Sequence, residues 1–329
     1  PIAGISILKR IMYNYISNGF TKFIVVISEE ENAIKDTLLL LKNNLEEKIY
    51  LYFVIQEEAK GMADAILKTK DVIERNLKYD WFFVTASDVL FGDLTPNVML
   101  TRHLDTNADI TLSLVESKDP RMADTHGNVK IENGKVIKII EKPGSEEKIS
   151  DLYSMPVYIL SKEVFSYLNK VKPSKRNELE LQDAIQMMID EQKTIIGVDI
   201  LPEFKGNLPY DKVGDYHLTF VKDLLGMTFR FLKDMDLNFK GEYPTSIEPV
   251  GSDGLVEIGD SVLIGPNVFI GKKSVLNNLA EISNSILMGN NKIGKSVKID
   301  GAIIAPDIEI EAKQVIKDSL ILKSEQKEL

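Results

Sequence analysis

Three short groups of residues in this chain carry groups suited to chemistry on phosphates and sugars. Asp88 stands just past the apolar run Trp81–Thr85, in the phrase TASDVLFGD. A carboxylate beyond the end of a central strand can hold Mg2+, which in turn bridges phosphate oxygens. A turn or helix-cap aspartate is the other reading. Gln56, Gly61, Ala63 and Ala65 lie in QEEAKGMADA. A glutamine amide offers donor and acceptor together, which suits the edge of a base. The glycine permits close backbone approach ahead of a helix N-terminus. A strand-loop-helix junction with a polar Gln would look the same. Glu141-Lys142-Pro143 closes a hairpin strand. Its lysine is a mobile point charge for a phosphate, and its glutamate can bind sugar hydroxyls. Alone, the triplet reads as a solvated strand end. Glu178, Glu180, Gln182 and Asp183, ahead of AIQMMI, read as a capped helix start.

The elements that must position these residues alternate in type. Ile7–Asn18 carries an amphipathic helical stripe, with Gly19 as its C-terminal cap. FIVVI, 23–27, reads as a parallel strand buried on both faces. A helix over 30–43, a strand over 49–55, a helix over 62–75 and a strand over 81–85 follow. This alternation implies right-handed crossovers and a doubly wound sheet, with ligands beyond the carboxyl ends of the strands. Further on, 109–115 is a strand and 128–141 a hairpin through Asn133-Gly134. The segments 153–160 and 194–200 are strands; 161–169, 180–191 and 215–232 are helical. Asp236–Gly251 reads as a connector.

From Ile258 the pattern changes to a six-residue period. Ile258-Gly259, Ile264-Gly265 and Ile270-Gly271 recur in phase, and Leu276 and Ile282 continue it. The phase slips near Gly289–Ile293 and again before Ile304, Ile310 and Ile316. Six residues is the period of a hexapeptide β-helix, with aliphatics pointing inward and Gly or Asn at corners needing positive φ or close approach. Coils of this kind can carry acyltransferase sites built on histidine. His103, His126 and His217 all lie outside this one, so chemistry is expected upstream and association through the coil.

Composition narrows the classes. The formal net charge of −10 disfavours a nucleic-acid-coating role. There is no cysteine, hence no disulfide or thiolate chemistry. No apolar run approaches the roughly 20 residues of a membrane span, and no signal peptide is visible. The cytoplasm is the expected compartment.

Together these segments resemble the sugar-1-phosphate nucleotidyltransferases, the nucleotide-sugar pyrophosphorylases. Pro1-Ile2-Ala3-Gly4-Ile5-Ser6-Ile7-Leu8 is similar to the family's P-[IV]-x-G-K-P-[IL]-[IL]. Residues 56–65 resemble its base-binding Q-x4-G-[TL]-A-x-A, Ser87-Asp88 its Gly-Asp, and Glu141-Lys142-Pro143 its E-K-P. LELQDAI, 179–185, resembles E-L-T-D-A-I, and Gly127 stands at a glycine near the sugar. The resemblance implies a Rossmann-like, doubly wound mixed sheet followed by a left-handed parallel β-helix of hexapeptide repeats. It implies a nucleotidyltransferase-like domain over 1–232, a connector over 233–251 and the coil over 252–329. It implies NDP-sugar and pyrophosphate formation from a nucleoside triphosphate and a sugar 1-phosphate. In that scheme Asp88 and Lys142 are catalytic, Gln56 and Gly61 bind nucleotide, Gly127 and Glu141 bind sugar, and Mg2+ is the cofactor. The family's Gly-rich loop and first strand are expected upstream of Pro1. There are also departures. The family's W-x-D-[VI]-G reads Tyr210-Asp211-Lys212-Val213-Gly214, so Lys212 replaces the second metal aspartate and Asp211 lies one residue off. N-A-G-[IL]-Y reads Ser154-Met155-Pro156-Val157-Tyr158, and Ser87 replaces a glycine. They leave an alternative, a weak or inactive homologue serving as a regulatory or assembly subunit in a homo- or hetero-oligomer.

Overall fold

The computed structural model describes residues 1–93, 95–204, 206–323 and 326–328. It divides into two units, one of residues 9–210 and one of residues 1–8 with 211–329.

In chain order the elements up to residue 210 are α1 (Ile7–Ser17), β1 (Lys22–Ile27), α2 (Asn32–Asn43), β2 (Tyr50–Ile55), α3 (Met62–Lys68), α4 (Lys70–Asn76), β3 (Trp81–Thr85), α5 (Thr95–Thr106), β4 (Ile110–Glu116), α6 (Met122–Thr125), β5 (Gly127–Glu132), β6 (Lys135–Ile140), β7 (Leu152–Ser161), α7 (Val164–Leu168), α8 (Leu181–Asp190) and β8 (Ile195–Asp199). The main sheet is mixed, in the order β6-β5-β7-β4-β8, with β3 also on β7. β7 is its pivot. One edge of β7 pairs antiparallel with β4; the other pairs with β5 at 152–154 and with β3 at 157–161. Its apolar residues Tyr158 and Leu160 are buried with Ile110, Leu112 and, from α8, Ile185. The β5–β6 turn is as expected, with Asn133 and Gly134 at φ 51° and 78°, the two left-handed residues of a tight hairpin.

Three of the elements expected ahead of the coil need correcting. FIVVI is not a strand buried on both faces: only Ile27 of β1 is buried, and among the described residues β1 pairs with β2 alone. The helix expected over 62–75 is two. Thr69 Oγ1 donates to the Ile66 carbonyl at 2.6 Å and closes α3. The helix expected over 215–232 is shorter. Tyr210–Asp215 is a 3-10 turn, and α9 spans Asp223–Leu232. The Asp223 carboxylate accepts from the Thr219 and Phe220 amides at 2.9 and 2.6 Å, tying the preceding turn to the first helical residue.

The C-terminal region is a parallel β-solenoid of five turns, its short strands stacked into three sheets. The first strands lie within the segment read as a connector: Phe239–Gly241 pairs with 256–258 and Val250–Ser252 with 268–270. Ile258, Ile264, Ile270, Leu276, Ile282, Leu287, Ile293, Ile299 and Ile304 fill the interior. Leu263 pairs with Glu281 eighteen residues on, and Glu281 with Lys298 seventeen on. The phase slip therefore falls between Ile282 and Leu287, earlier than expected, and recurs between Ile299 and Ile304 at the same corner.

Positive φ falls at the corners on Gly265, Asn267, Asn284 and Asn290, as expected, and also on Ser261, Lys273, Leu279 and Ser296. Gly259 and Gly271 are required instead for close approach: a Cβ would come within 2.8 Å of Asn278 N and 2.6 Å of Gly289 Cα on the next turn. On one outer face Phe269, Ile286 and Ile303 are buried with Ala3 and Leu232, and Leu224, Leu225 and Phe229 of α9 pack against them. Among the described residues no helix is long and apolar enough to cross a membrane.

Candidate active site

The glutamine and glycine of the first motif meet in one loop. Gln56 follows β2, and its Nε2 donates to Asp64 Oδ2 at 2.8 Å and to the Gly61 carbonyl at 3.3 Å. Gly61 has φ +101°, and a Cβ there would lie 2.7 Å from the Leu179 carbonyl oxygen. The close approach that requires glycine is thus made by the chain itself. Leu179 N donates to the Lys60 carbonyl at 2.7 Å, and Ala63 N to the Leu179 carbonyl at 3.0 Å. The loop is fastened to the segment that enters α8.

The second group forms a row across three strands. Asn128 pairs with Ile140 and Gly127 with Ser154, which sets Glu141, Gly127 and Ser154 side by side over β6, β5 and β7. A Cβ on Gly127 would lie 2.7 Å from Ser154 Oγ, 3.1 Å from Glu141 Oε2 and 3.5 Å from Gln182 Cγ. The glycine leaves an opening that a side chain would fill. The Glu141 side chain is 14% exposed, with the Lys142 ammonium 3.8 Å and the Arg176 guanidinium 3.5 Å from Oε1. Oε2 is buried, with no hydrogen-bond partner among the described residues. Burial pushes the Glu141 carboxyl above its ordinary range; Lys142 and Arg176 oppose this, and Glu180 adds to it. Lys142 itself holds φ +43°, a left-handed backbone that costs a non-glycine residue about 1–2 kcal/mol.

Arg176 escaped the sequence reading. It lies among Lys175, Glu178 and Glu180, a mixture that looks like solvated surface. Its Nη2 is 2.8 Å from Glu180 Oε1. Glu180 precedes α8 but makes no side-chain cap bond; it accepts from Ser174 Oγ at 2.7 Å and from Arg176. The carboxylate expected as a helix cap is a member of an ion-pair network.

Asp88 lies in the turn after β3, half-buried, ahead of the buried Val89 and Leu90. Ala86 N donates to the Pro156 carbonyl at 3.0 Å. β7 therefore carries both the Asp88 turn, through Val157 and Pro156, and the Glu141–Gly127 row, through Ser154. Asp211 and Lys212 belong to the other unit. There Lys212 Nζ pairs with Asp215 Oδ2 at 3.5 Å. Burial raises the Asp215 carboxyl, and Lys212 opposes the rise. Among the described residues no group of three or more His, Asp or Glu side chains is arranged to hold a metal.

Residues 1–200 match the family model described as nucleotidyl transferase, and residues 246–327 that described as GMPPB C-terminal domain. The bifunctional protein GlmU of Methanococcus maripaludis strain S2 is 28% identical over 329 residues, covering 98% of this chain and 71% of its own. UTP--glucose-1-phosphate uridylyltransferase 2 of Streptococcus pyogenes serotype M1 is 26% identical over 242 residues, covering 65% of this chain and 77% of its own. A solved UDP-glucose pyrophosphorylase complexed with UDP-glucose has a similar fold, with TM-score 0.53 and 22% identity over 60% of this chain and 80% of its own.

Proposed function

The chain belongs to the nucleotidyl transferase family, and from that premise we propose that it joins a nucleoside triphosphate to a sugar 1-phosphate, releasing pyrophosphate and forming an NDP-sugar. One observation carries the reading. The segment 179–182 touches both half-sites: Leu179 is bonded to the Gln56–Gly61 loop, and Gln182 lines the opening at Gly127. In-line attack needs two substrates held side by side, and most of the rate gain then comes from position and charge neutralisation.

In this scheme an oxygen of the sugar phosphate attacks the α-phosphorus, and the bond to the departing pyrophosphate breaks. The Gln56–Gly61 loop receives the base. The opening over Gly127 receives the sugar ring, and Glu141 accepts hydrogen bonds from its hydroxyls. Lys142 offsets phosphate charge. For Mg2+, the donor set is a single hard carboxylate, Asp88, beyond a strand end. That suits a cation which takes one or two carboxylates and completes its shell with phosphate oxygens and water. Bound there, it would supply neutralisation of charge on the phosphates. Asp211 is a candidate ligand by its place in the sequence alone; in its own unit Asp215 pairs with its neighbour Lys212. We assign the enzyme to the cytoplasm and its association, with copies of itself or another subunit, to the coil.

The test is pyrophosphate release with Mg2+ from a panel of nucleoside triphosphates and sugar 1-phosphates, led by UTP and glucose 1-phosphate. Turnover with one pair, lost in Asp88→Asn, is the expected result. Thermal stabilisation by nucleotide without turnover on any pair would replace it with the regulatory reading, which Lys212 favours.

A further inference from the structure

We propose that Arg176 is the positioning residue of the sugar side: one guanidinium shared by three carboxylates, it holds Glu141 turned toward Gly127. This rests on the reading of Glu141 as a sugar-binding group. Arg176 Nη2 lies 2.8 Å from Glu180, 3.5 Å from Glu141 and 3.8 Å from Glu178. Its loop is preformed. Ser174 N donates to the Glu178 carbonyl at 2.8 Å, Asn177 turns the chain at φ +61°, and Ser174 Oγ fixes Glu180 at 2.7 Å.

The groups facing Glu141 are Lys142, Arg176, Glu180 and the Tyr158 hydroxyl. Two cations of similar exposure flank Glu141: Lys142, 39% exposed and 3.8 Å from Oε1, and Arg176, 37% exposed and 3.5 Å from it. Without Arg176, two largely buried carboxylates would confront each other with only Lys142 to offset them. Burial and like charge both favour the protonated acid. A protonated Glu141 loses acceptor capacity toward a sugar hydroxyl. Arg176 thus acts on the substrate through Glu141. The same loop continues into Leu179, which is bonded to Lys60 and Ala63, so the residue that tunes the sugar side sits on the segment that fastens the base loop.

The experiment uses the full chain with Arg176→Gln and Arg176→Lys. The first readout is independent of turnover: NMR titration of 13C-carboxyl-labelled glutamates, with the Glu141 signal identified by its loss in Glu141→Gln. In Arg176→Gln the Glu141 midpoint is expected to rise by about one unit, about tenfold in proton affinity; Arg176→Lys restores most of it. The lysine variant alone, with a smaller rise, decides the matter if the glutamine variant does not fold. An unmoved midpoint overturns the proposal. The second readout is the KM for glucose 1-phosphate in the pyrophosphate assay. It should rise as pH is lowered, by at most about tenfold for a one-unit shift, and recover as pH is raised, with the nucleotide KM unchanged. A rise independent of pH overturns positioning in favour of direct contact with the phosphate. Absence of turnover in the unmodified chain sinks the proposed function and leaves the titration to decide the role of Arg176.

Discussion

The solenoid and the unit carrying the candidate site are built by opposite means. Solenoid contacts repeat at a nearly constant distance along the chain: Leu263 meets Glu281 eighteen residues on, which meets Lys298 seventeen on. The site draws Gln56, Gly127, Glu141, Arg176 and Leu179 from loops and strand ends, and no interval recurs among them. A repeat spreads its stability over many equivalent positions. A constellation concentrates its function in a few irreplaceable ones. Damage to the first should register as lost folding free energy, and damage to the second as lost rate at nearly constant stability.

The sharpest way to break this contrast is Gly271→Val in the coil. Its Cβ would come within 2.6 Å of Gly289 Cα, backbone that cannot move aside, and a loss of about 3 kcal/mol or more is expected in urea unfolding. A loss below about 1 kcal/mol would show that the turns can separate. Gly134, at φ +78° with nothing within 4 Å of a Cβ, should cost only about 1 kcal/mol as Ala. Next comes Ile282→Ala, in the coil interior at 2% exposure, with an expected loss of about 2–5 kcal/mol and no change in KM once folded protein is compared.

On the other side, Lys142→Gly should separate the two currencies within one residue. Glycine relieves the left-handed backbone, so stability should rise by about 1 kcal/mol while kcat/KM falls about a hundredfold. A variant that is neither more stable nor slower would contradict both the strain and the assigned charge. The smallest effect belongs to Asp300 on a coil corner. Hydrogen bonds from Ser283 and Asn284 hold its carboxyl below the ordinary range. A depressed folded-state value contributes stability above the unfolded-state value of about 3.9, and that contribution is lost as pH falls through the depressed value. Asp300→Asn should therefore flatten only the acid end of the stability profile. A loss of stability at pH near 7 that persists to about pH 2 would contradict that assignment.

The same contrast explains what could be read from the chain. Ile258, Ile264 and Ile270 declare a coil because the spacing that builds it is local. The slip was harder to place. Leu287 lies inside Ser285-Ile286-Leu287-Met288, and the eye finds Gly289 first; only the pairing of Val268 with Ser285 shows that the shortened corner comes earlier. Gln56–Gly61 and Glu141-Lys142 were legible through their order along the chain. Arg176 was not, because a cation among glutamates is ordinary on a surface and becomes unusual only when Glu141 arrives from another strand. The half-exposed β1 was misread for a related reason. An apolar run announces burial, but the neighbour that provides it must come from elsewhere.

The burial of Ala3 with Phe269 and Ile303 has a consequence for the order in which the molecule can be made. A ribosome releases Ala3 long before it adds Ile303, and in between it delivers the whole of residues 9–210, which form a unit of their own. Ala3 can meet all of these partners only after most of the coil has been synthesised. Contacts of such long span are slow to form and leave apolar groups exposed meanwhile. A nascent chain arrested before residue 269 should thus leave Ile2 and Ala3 accessible to protease, and release of the finished chain should protect them.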